Sequence, residues 1–420
     1  MIKNLKLIFS PKNKDIRKRI GFTLFGLLIF ALGTTIPVPG TEGAISSLGL
    51  WELYNAIGGG ALKNFSIFAL GVSPYISASI VTGILQMDII PYFSELKESG
   101  EQGRQKINQI NRYIGIILAF LQGIAMAFTF VDGASTFTYI KIALILTAGT
   151  AFLLWLGDQI TQKGIGNGIS LLIMAGIINT VPKMFIDTFD SLILSSSTSL
   201  FLGIIGFVIF TLIYLLIIVG VIFEESSERR IPIQYSNRTT SAYGQKQSFI
   251  PFKLNSAGVM PVIFASVILS VPSFIGGILG EESAFNMFIT KYINYTTPTG
   301  FALYMVLIFV FGFFYTNMQI NPKELAKNLN KSGGYIPGIR PGSETEKYIK
   351  KILNRITFLG STFIAIIAGI PIVFSSFINT GLPASVSLGG TGILIVVGVA
   401  IETCKQLESS LINRNYKGAR

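Results

Sequence analysis

Ten apolar segments, each near the length that crosses a bilayer, recur along this chain and leave it few ways to fold. They lie at Ile20–Ile36, Val72–Ile90, Tyr113–Val131, Ile140–Leu156, Gly168–Val181, Leu200–Phe223, Gly258–Ile278, Phe301–Ile320, Ile356–Phe374 and Gly389–Ile401. A helix needs about 20 apolar residues to cross hydrocarbon. Lipid offers no partner to a bare N–H or C=O, so an open sheet edge cannot persist there and each segment is predicted to be a helix. Of the 420 residues, 50% are hydrophobic and 13% charged, where a soluble domain carries about 25% charged residues. The first segment has the basic start and apolar core of a signal peptide, but nine further segments follow it. Pro37-Val38-Pro39-Gly40 after it reads as a turn, not a small-residue cleavage site.

The net charge of +12 is distributed unevenly. With the N-terminus inside and the segments alternating, only Lys63, Lys141, Lys183 and Lys291 of the 33 basic residues fall outside. Cytoplasmic loops collect lysine and arginine, so both termini are expected to be cytoplasmic. Two inside loops, Glu224–Lys253 and Asn321–Arg355, are long and basic. Topology alone would need only short loops, so these two read as docking surfaces.

Two segments repeat one pattern. Gly71-Val72-Ser73-Pro74-Tyr75-Ile76-Ser77-Ala78-Ser79-Ile80 and Gly258-Val259-Met260-Pro261-Val262-Ile263-Phe264-Ala265-Ser266-Val267 share G-V-x-P-x-I-x-A-S-[IV]. They stand in the second and seventh segments, five apart. Because five is odd, two such halves must insert with opposite orientation, which places a pore or site at their interface. A fainter echo links Gly166-Asn167-Gly168-Ile169 at the fifth segment with Gly390-Thr391-Gly392-Ile393 at the tenth, and these two segments read as short and glycine-led.

Several chemistries are disfavoured. The chain has no histidine and one cysteine, Cys404, so neither an internal disulfide nor a Cys/His metal cluster can form. No G-x-x-x-x-G-K-[ST] phosphate cradle is present. Asp88, Asp158 and Glu402 fall at segment ends and Lys141 at an outer edge. A transporter coupled to ions or protons usually keeps ionisable groups near the midplane. A pore lined by Ile, Val, Ser and Gly can instead close by an apolar constriction that water leaves. A secondary transporter is the second reading, an intramembrane enzyme the third. The chain is read as no enzyme, and no cofactor or metal is expected.

With these residues identified, the chain resembles the SecY/Sec61-alpha family nearly end to end. The likeness is carried by Ile36-Pro37-Val38-Pro39-Gly40; by Ser66-Ile67-Phe68-Ala69-Leu70 running into the first repeat; by Trp155-Leu156-Gly157-Asp158-Gln159-Ile160-Thr161 and Gly164 through Ser170; by Glu228-Arg229-Arg230-Ile231-Pro232; by Asn255-Ser256-Ala257 before the second repeat; and by Ser332-Gly333-Gly334-Tyr335-Ile336-Pro337-Gly338-Ile339-Arg340-Pro341-Gly342. It implies an all-α integral membrane protein of ten transmembrane helices, in two inverted five-helix halves around a central hourglass pore. The divisions are a cytoplasmic segment 1–19, a first half 20–181 with a plug at about 53–65, a second half 200–401 with cytoplasmic loops at about 224–254 and 321–355, and a tail 402–420.

The function implied is a protein-conducting channel. It moves unfolded secretory polypeptides across the bacterial cytoplasmic membrane and releases transmembrane segments sideways into lipid. Matched by motif, a pore ring of aliphatic side chains would comprise Val72, Ile76, Ile169, Ile173, Ile263 and Ile395, where the family mostly has Ile and Val72 is a departure. Gln122 and Asn255 would form a polar pair at the lateral gate. Arg340, with Arg229, Arg230, Arg238 and Lys246, would dock the SecA motor ATPase or the ribosome. SecE and SecG small membrane subunits, signal peptides, nascent polypeptides and membrane lipid are the other partners implied.

Overall fold

The computed structural model describes residues 14–41, 55, 61–62, 64–86, 90–131, 135–194, 200–235, 248–279, 283–294, 297–376 and 385–417. The helices are α1 (Lys14–Gly33), α2 (Ser73–Leu85), α3 (Pro91–Glu98), α4 (Gly100–Phe130), α5 (Thr136–Lys163), α6 (Gly168–Phe189), α7 (Leu200–Ser226), α8 (Met260–Leu279), α9 (Ala284–Tyr292), α10 (Pro298–Gln319), α11 (Pro322–Lys331), α12 (Ser343–Ser376) and α13 (Ser385–Lys417). Each of the ten expected segments falls on one of them. Six helical stretches, in α4, α5, α6, α7, α10–α11 and α12, are long and apolar enough to cross a membrane, while α2 and the stretch Met260–Pro272 of α8 are apolar but shorter. Large side chains such as Phe201, Leu216, Phe223 and Leu359 stand exposed on these helices. Lipid is the solvent such a surface requires, and the chain is a multi-pass membrane protein.

Two groups of helices meet along two seams. In the first, α4 packs on both α2 and α5, and α6 packs on α5; in the second, α10 bridges α8 and α12, and α13 packs on α12 and α7. One seam sets α8 against α2 and α4, and the other sets α13 against α6. At the second seam a Cβ on Gly392 would stand 2.7 Å from Ile177 Cγ2, so glycine permits this approach.

The fainter sequence echo is not a structural one. Gly166 and Asn167 precede α6, and the Asn167 side chain caps it by accepting from the Ile169 and Ser170 amides at 3.1 and 3.4 Å. Gly390 through Ile393 lie inside α13, a helix of 33 residues. Glycine there serves packing, not a break, and α13 is not the short helix the sequence suggests.

The two long polar loops are ordered together. Strands β1 (Glu228–Tyr235) and β2 (Ser248–Lys253) pair antiparallel from Glu228↔Lys253 to Ile233↔Ser248. Strand β3 (Gly334–Tyr335) from the second loop adds to β1 through Gln234↔Tyr335 and Tyr235↔Gly334. Ile231, Ile233 and Phe252 of the sheet bury against Leu329 of α11 and Ile349 and Leu353 of α12. Both expected loops therefore fold around a small apolar core of their own, outside the apolar spans.

Candidate channel constriction and its surroundings

The strong repeat is a structural repeat. Gly71 and Gly258 have φ of +55° and +60°, the left-handed region where a side chain is strained. Each is followed by the same opening turn. The Val72 carbonyl accepts from the Tyr75 and Ile76 amides at 3.1 and 3.2 Å, and the Val259 carbonyl accepts from Val262 and Ile263 at 3.2 and 3.3 Å. Pro74 and Pro261 sit in these first turns, where a missing N–H costs nothing. Both glycine carbonyls accept a side-chain hydrogen bond, Gly71 from Thr150 Oγ1 at 3.2 Å and Gly258 from Asn255 Nδ2 at 3.1 Å. Ile76 and Ile263 hold equivalent positions in the two copies.

Around these two isoleucines the six expected ring residues converge. Val72, Ile76, Ile173, Ile263 and Ile395 are buried in the largest apolar cluster, and the partly buried Ile169 packs against it. They come from the start of α2, from α6, from α8 and from α13, and so from both groups of helices. Ile76, Ile169, Ile173, Ile263 and Ile395 also line a cavity of about 320 Å³. Its rim is polar: Asn167, Glu225, Lys253, Asn255 and Glu402. Lys253 ends β2, so the cavity opens toward the end of the molecule that carries the sheet.

The two polar residues expected to pair at the gate share no hydrogen bond among the described residues. Gln122 lies buried on α4 with its Oε1 unpartnered among the described residues. Asn255 lies buried just before α8, and its amide donates to Glu225 Oε1 at 3.3 Å as well as to Gly258. Glu225 is a residue that sequence reasoning missed. The sequence places Glu224 and Glu225 at the start of a solvated loop, whereas α7 runs on to Ser226 and buries both. Lys405 Nζ on α13 donates to the Glu225 carbonyl at 3.2 Å, which ties α7 to α13 beside the cavity rim. No pattern in the sequence distinguishes these glutamates from loop carboxylates. The ion pair of Arg112 on α4 with Asp158 on α5 was likewise not expected.

At the sheet, Arg229, Arg230 and Arg340 are all exposed. Arg340 stands in the turn between β3 and α12, bracketed by Gly338 and Gly342 with φ of +80° and +98°. Its carbonyl accepts from Thr345 Oγ1 at 2.9 Å, which fixes the turn and leaves the guanidinium outside. Arg230 is engaged locally, with Glu228 at 3.8 Å and over the Phe249 ring at 4.8 Å. Arg238 and Lys246 lie outside the described residues. Most of the candidate plug, 53–65, lies outside them as well. At its C-terminal end Ala61, Leu62 and Phe65 are buried, and Ala61 joins the same cluster as the ring.

Known proteins share the sequence and the fold as a whole. The SecY family model matches residues 66–404. The protein translocase subunit SecY of Bacillus subtilis is 46% identical over 418 residues, covering 96% of each chain. Two solved structures share the fold at 19% identity, each covering 94% of this chain and 92% of the other. One is of SecY, its plug domain described as stabilising the closed state of the translocation channel, with a TM-score of 0.67. The other is Sec61 in the canine ribosome-channel complex from the endoplasmic reticulum, with a TM-score of 0.63.

Proposed function

This chain belongs to the SecY family, and on that premise we propose how its parts conduct a polypeptide. It is a protein translocase subunit that forms a protein-conducting channel. The observation that carries the reading is the convergence of aliphatic side chains from both helix groups at the floor of one polar-rimmed cavity.

Val72, Ile76, Ile169, Ile173, Ile263 and Ile395 form the seal. A translocating chain presents every kind of side chain, so its seal must favour none. Aliphatic groups make no hydrogen bonds and can shift around different shapes. At rest they exclude water, and ions cannot follow where water leaves. The plug would close the far side of the ring, and its described end supports this, because Ala61 packs in the same apolar cluster as the ring. Phe65 has φ +43° at a residue with a Cβ, a strained hinge at the plug's end.

The seam of α8 with α2 and α4 is the lateral gate, flanked by Gln122 and Asn255. Separation of α8 along it would open the constriction sideways to lipid. Holding the gate closed falls to Glu225, which fixes Asn255, and not to a direct pair. The ten helices cross the bacterial cytoplasmic membrane with both termini inside, and the sheet faces the cytoplasm. There Arg340, with Arg229, Arg230, Arg238 and Lys246, meets the SecA motor or the ribosome. A guanidinium on a rigid turn can grip carboxylate or phosphate in bidentate fashion. SecE and SecG cover part of the exposed helical surface. The chain performs no covalent chemistry in this account, so work comes from its partners.

Reconstitution tests the reading. Vesicles holding the chain with its small subunits, supplied with motor and ATP, are expected to protect an added secretory protein from external protease. Saturable uptake of one small solute by vesicles holding only this chain, without such protection, would favour a transporter.

A further inference from the structure

Helix α9 has no part in the ring, the gate or the docking surface, and its sides differ in kind. Ser283 caps it by accepting from the Asn286 amide at 3.4 Å. Asn286, Ile289 and Ile293 are at least partly buried and recur at helical spacing. Ile289 is the anchor, fully buried against α8 where Gly276 allows close approach: a Cβ there would meet Asn286 Oδ1 at 3.0 Å and Ile289 Cδ1 at 3.4 Å. The opposite side is exposed and apolar. Met287 and Phe288 are 59% and 52% exposed, and Phe285 and Tyr292 stand out beside them. The Phe288 and Tyr292 rings lie 5.1 Å apart, and the Lys291 ammonium lies 5.4 Å from the Tyr292 ring.

We infer that α9 is an interfacial anchor, seated in the outer boundary of the phospholipid bilayer, that ties the end of gate helix α8 to the lipid surface. Continuity identifies the occupant. Val271, Ile275 and Leu279 form an exposed stripe along α8, four residues apart, and the stripe ends at the last residue of α8, five residues before α9 begins. Whatever solvates that stripe also reaches α9, and for a membrane helix it is lipid. Aromatic rings with one lysine at the end of such a stripe are the composition of a membrane–water boundary, where amphipathic rings sit at headgroup depth. The lysine ammonium would meet lipid phosphate, and its stem would lie along the acyl boundary. Because Ile289 and Asn286 pack at Gly276, movement of α8 must drag α9 through that boundary. The gate would then respond to the outer leaflet.

The inference rests on the proposed topology for the word "outer", and two readouts separate the claims. The full chain with its small subunits is reconstituted with Trp51 and Trp155 replaced by Phe and with Phe288→Trp as the sole indole. Lipids brominated just below the headgroup are expected to quench its emission about twofold more than lipids brominated near the chain ends. A second variant, Met287→Trp, guards against misfolding of the first and is expected to behave alike. Emission at the wavelength of a water-exposed indole in both variants, unaffected by any brominated lipid, would overturn the anchor. Quenching independent of bromine depth would overturn it too, by placing α9 elsewhere in the bilayer. Independently, Lys291→Cys in a chain with Cys404 replaced should react with an impermeant maleimide on intact cells. Reaction only after lysis would overturn the topology and leave the anchor standing on the opposite face.

Discussion

The two copies of the repeat open their helices with the same turn, yet they are held in different ways. At the first copy, Gly71 through Pro74 are buried, and the donor to the Gly71 carbonyl is Thr150 on α5, 79 residues away. At the second, Gly258 through Met260 are only half-buried and border the cavity, and the donor is Asn255, three residues back on the same chain segment. The first copy is locked into a wall by a distant helix. The second is held locally, through an amide that also leans on Glu225. One shared motif is thus held from a distance in the first copy and locally in the second, and the locally held copy begins the helix proposed to move at the gate.

The largest expected effects come from the ring positions the copies share. Ile76→Asn and Ile263→Asn each bury an amide without partners, costing about 1–3 kcal/mol, and each should raise ion leak in planar-bilayer recordings. Equal leak from the two would sharpen the symmetry; leak from one alone would break it. Next come the glycines. Gly71→Val and Gly258→Val each force a side chain into the left-handed region at about 1–2 kcal/mol. The melting temperature in detergent should fall further for Gly71, which is buried, than for Gly258, whose Cβ would meet nothing within 4 Å. Thr150→Val should cost about 1 kcal/mol in stability without altering translocation. Glu225→Gln, by contrast, should change which signal sequences are accepted while leaving the melting temperature nearly unmoved. If both substitutions altered only stability, the contrast between wall and gate would fail. The smallest effect on folding is expected for Arg340→Glu, within about 0.5 kcal/mol for a surface change, although motor-driven translocation should be lost.

Much of this was legible in the sequence, and the repeat shows why. Gly at a left-handed position, Pro in the first turn and Ile at the constriction are requirements set by backbone geometry and by the seal, so they leave a local pattern. The polar network does not. Glu225 follows a 24-residue apolar run and reads as the start of a loop; only the packing of α13 and the segment before α8 around it reveals that it is buried. The same holds for the sheet. Gly334 and Tyr335 are a two-residue strand whose partner lies about a hundred residues earlier, a pairing that hydrophobic periodicity cannot signal. The echo at Gly390 misled for the opposite reason. Glycine in a membrane helix can serve close approach as readily as a break.

The central claim is that a polypeptide passes through the aliphatic ring. In a chain with Cys404 replaced, one cysteine is placed at Ile76, 4% exposed, or at Ile366 on α12, 56% exposed. A secretory protein carrying one cysteine is stalled midway through the reconstituted complex. The account predicts a disulfide to position 76 that depends on motor and ATP, and none to position 366. Equal crosslinking at the two positions, or none at 76 while the stalled chain is shown to be inserted, would contradict it.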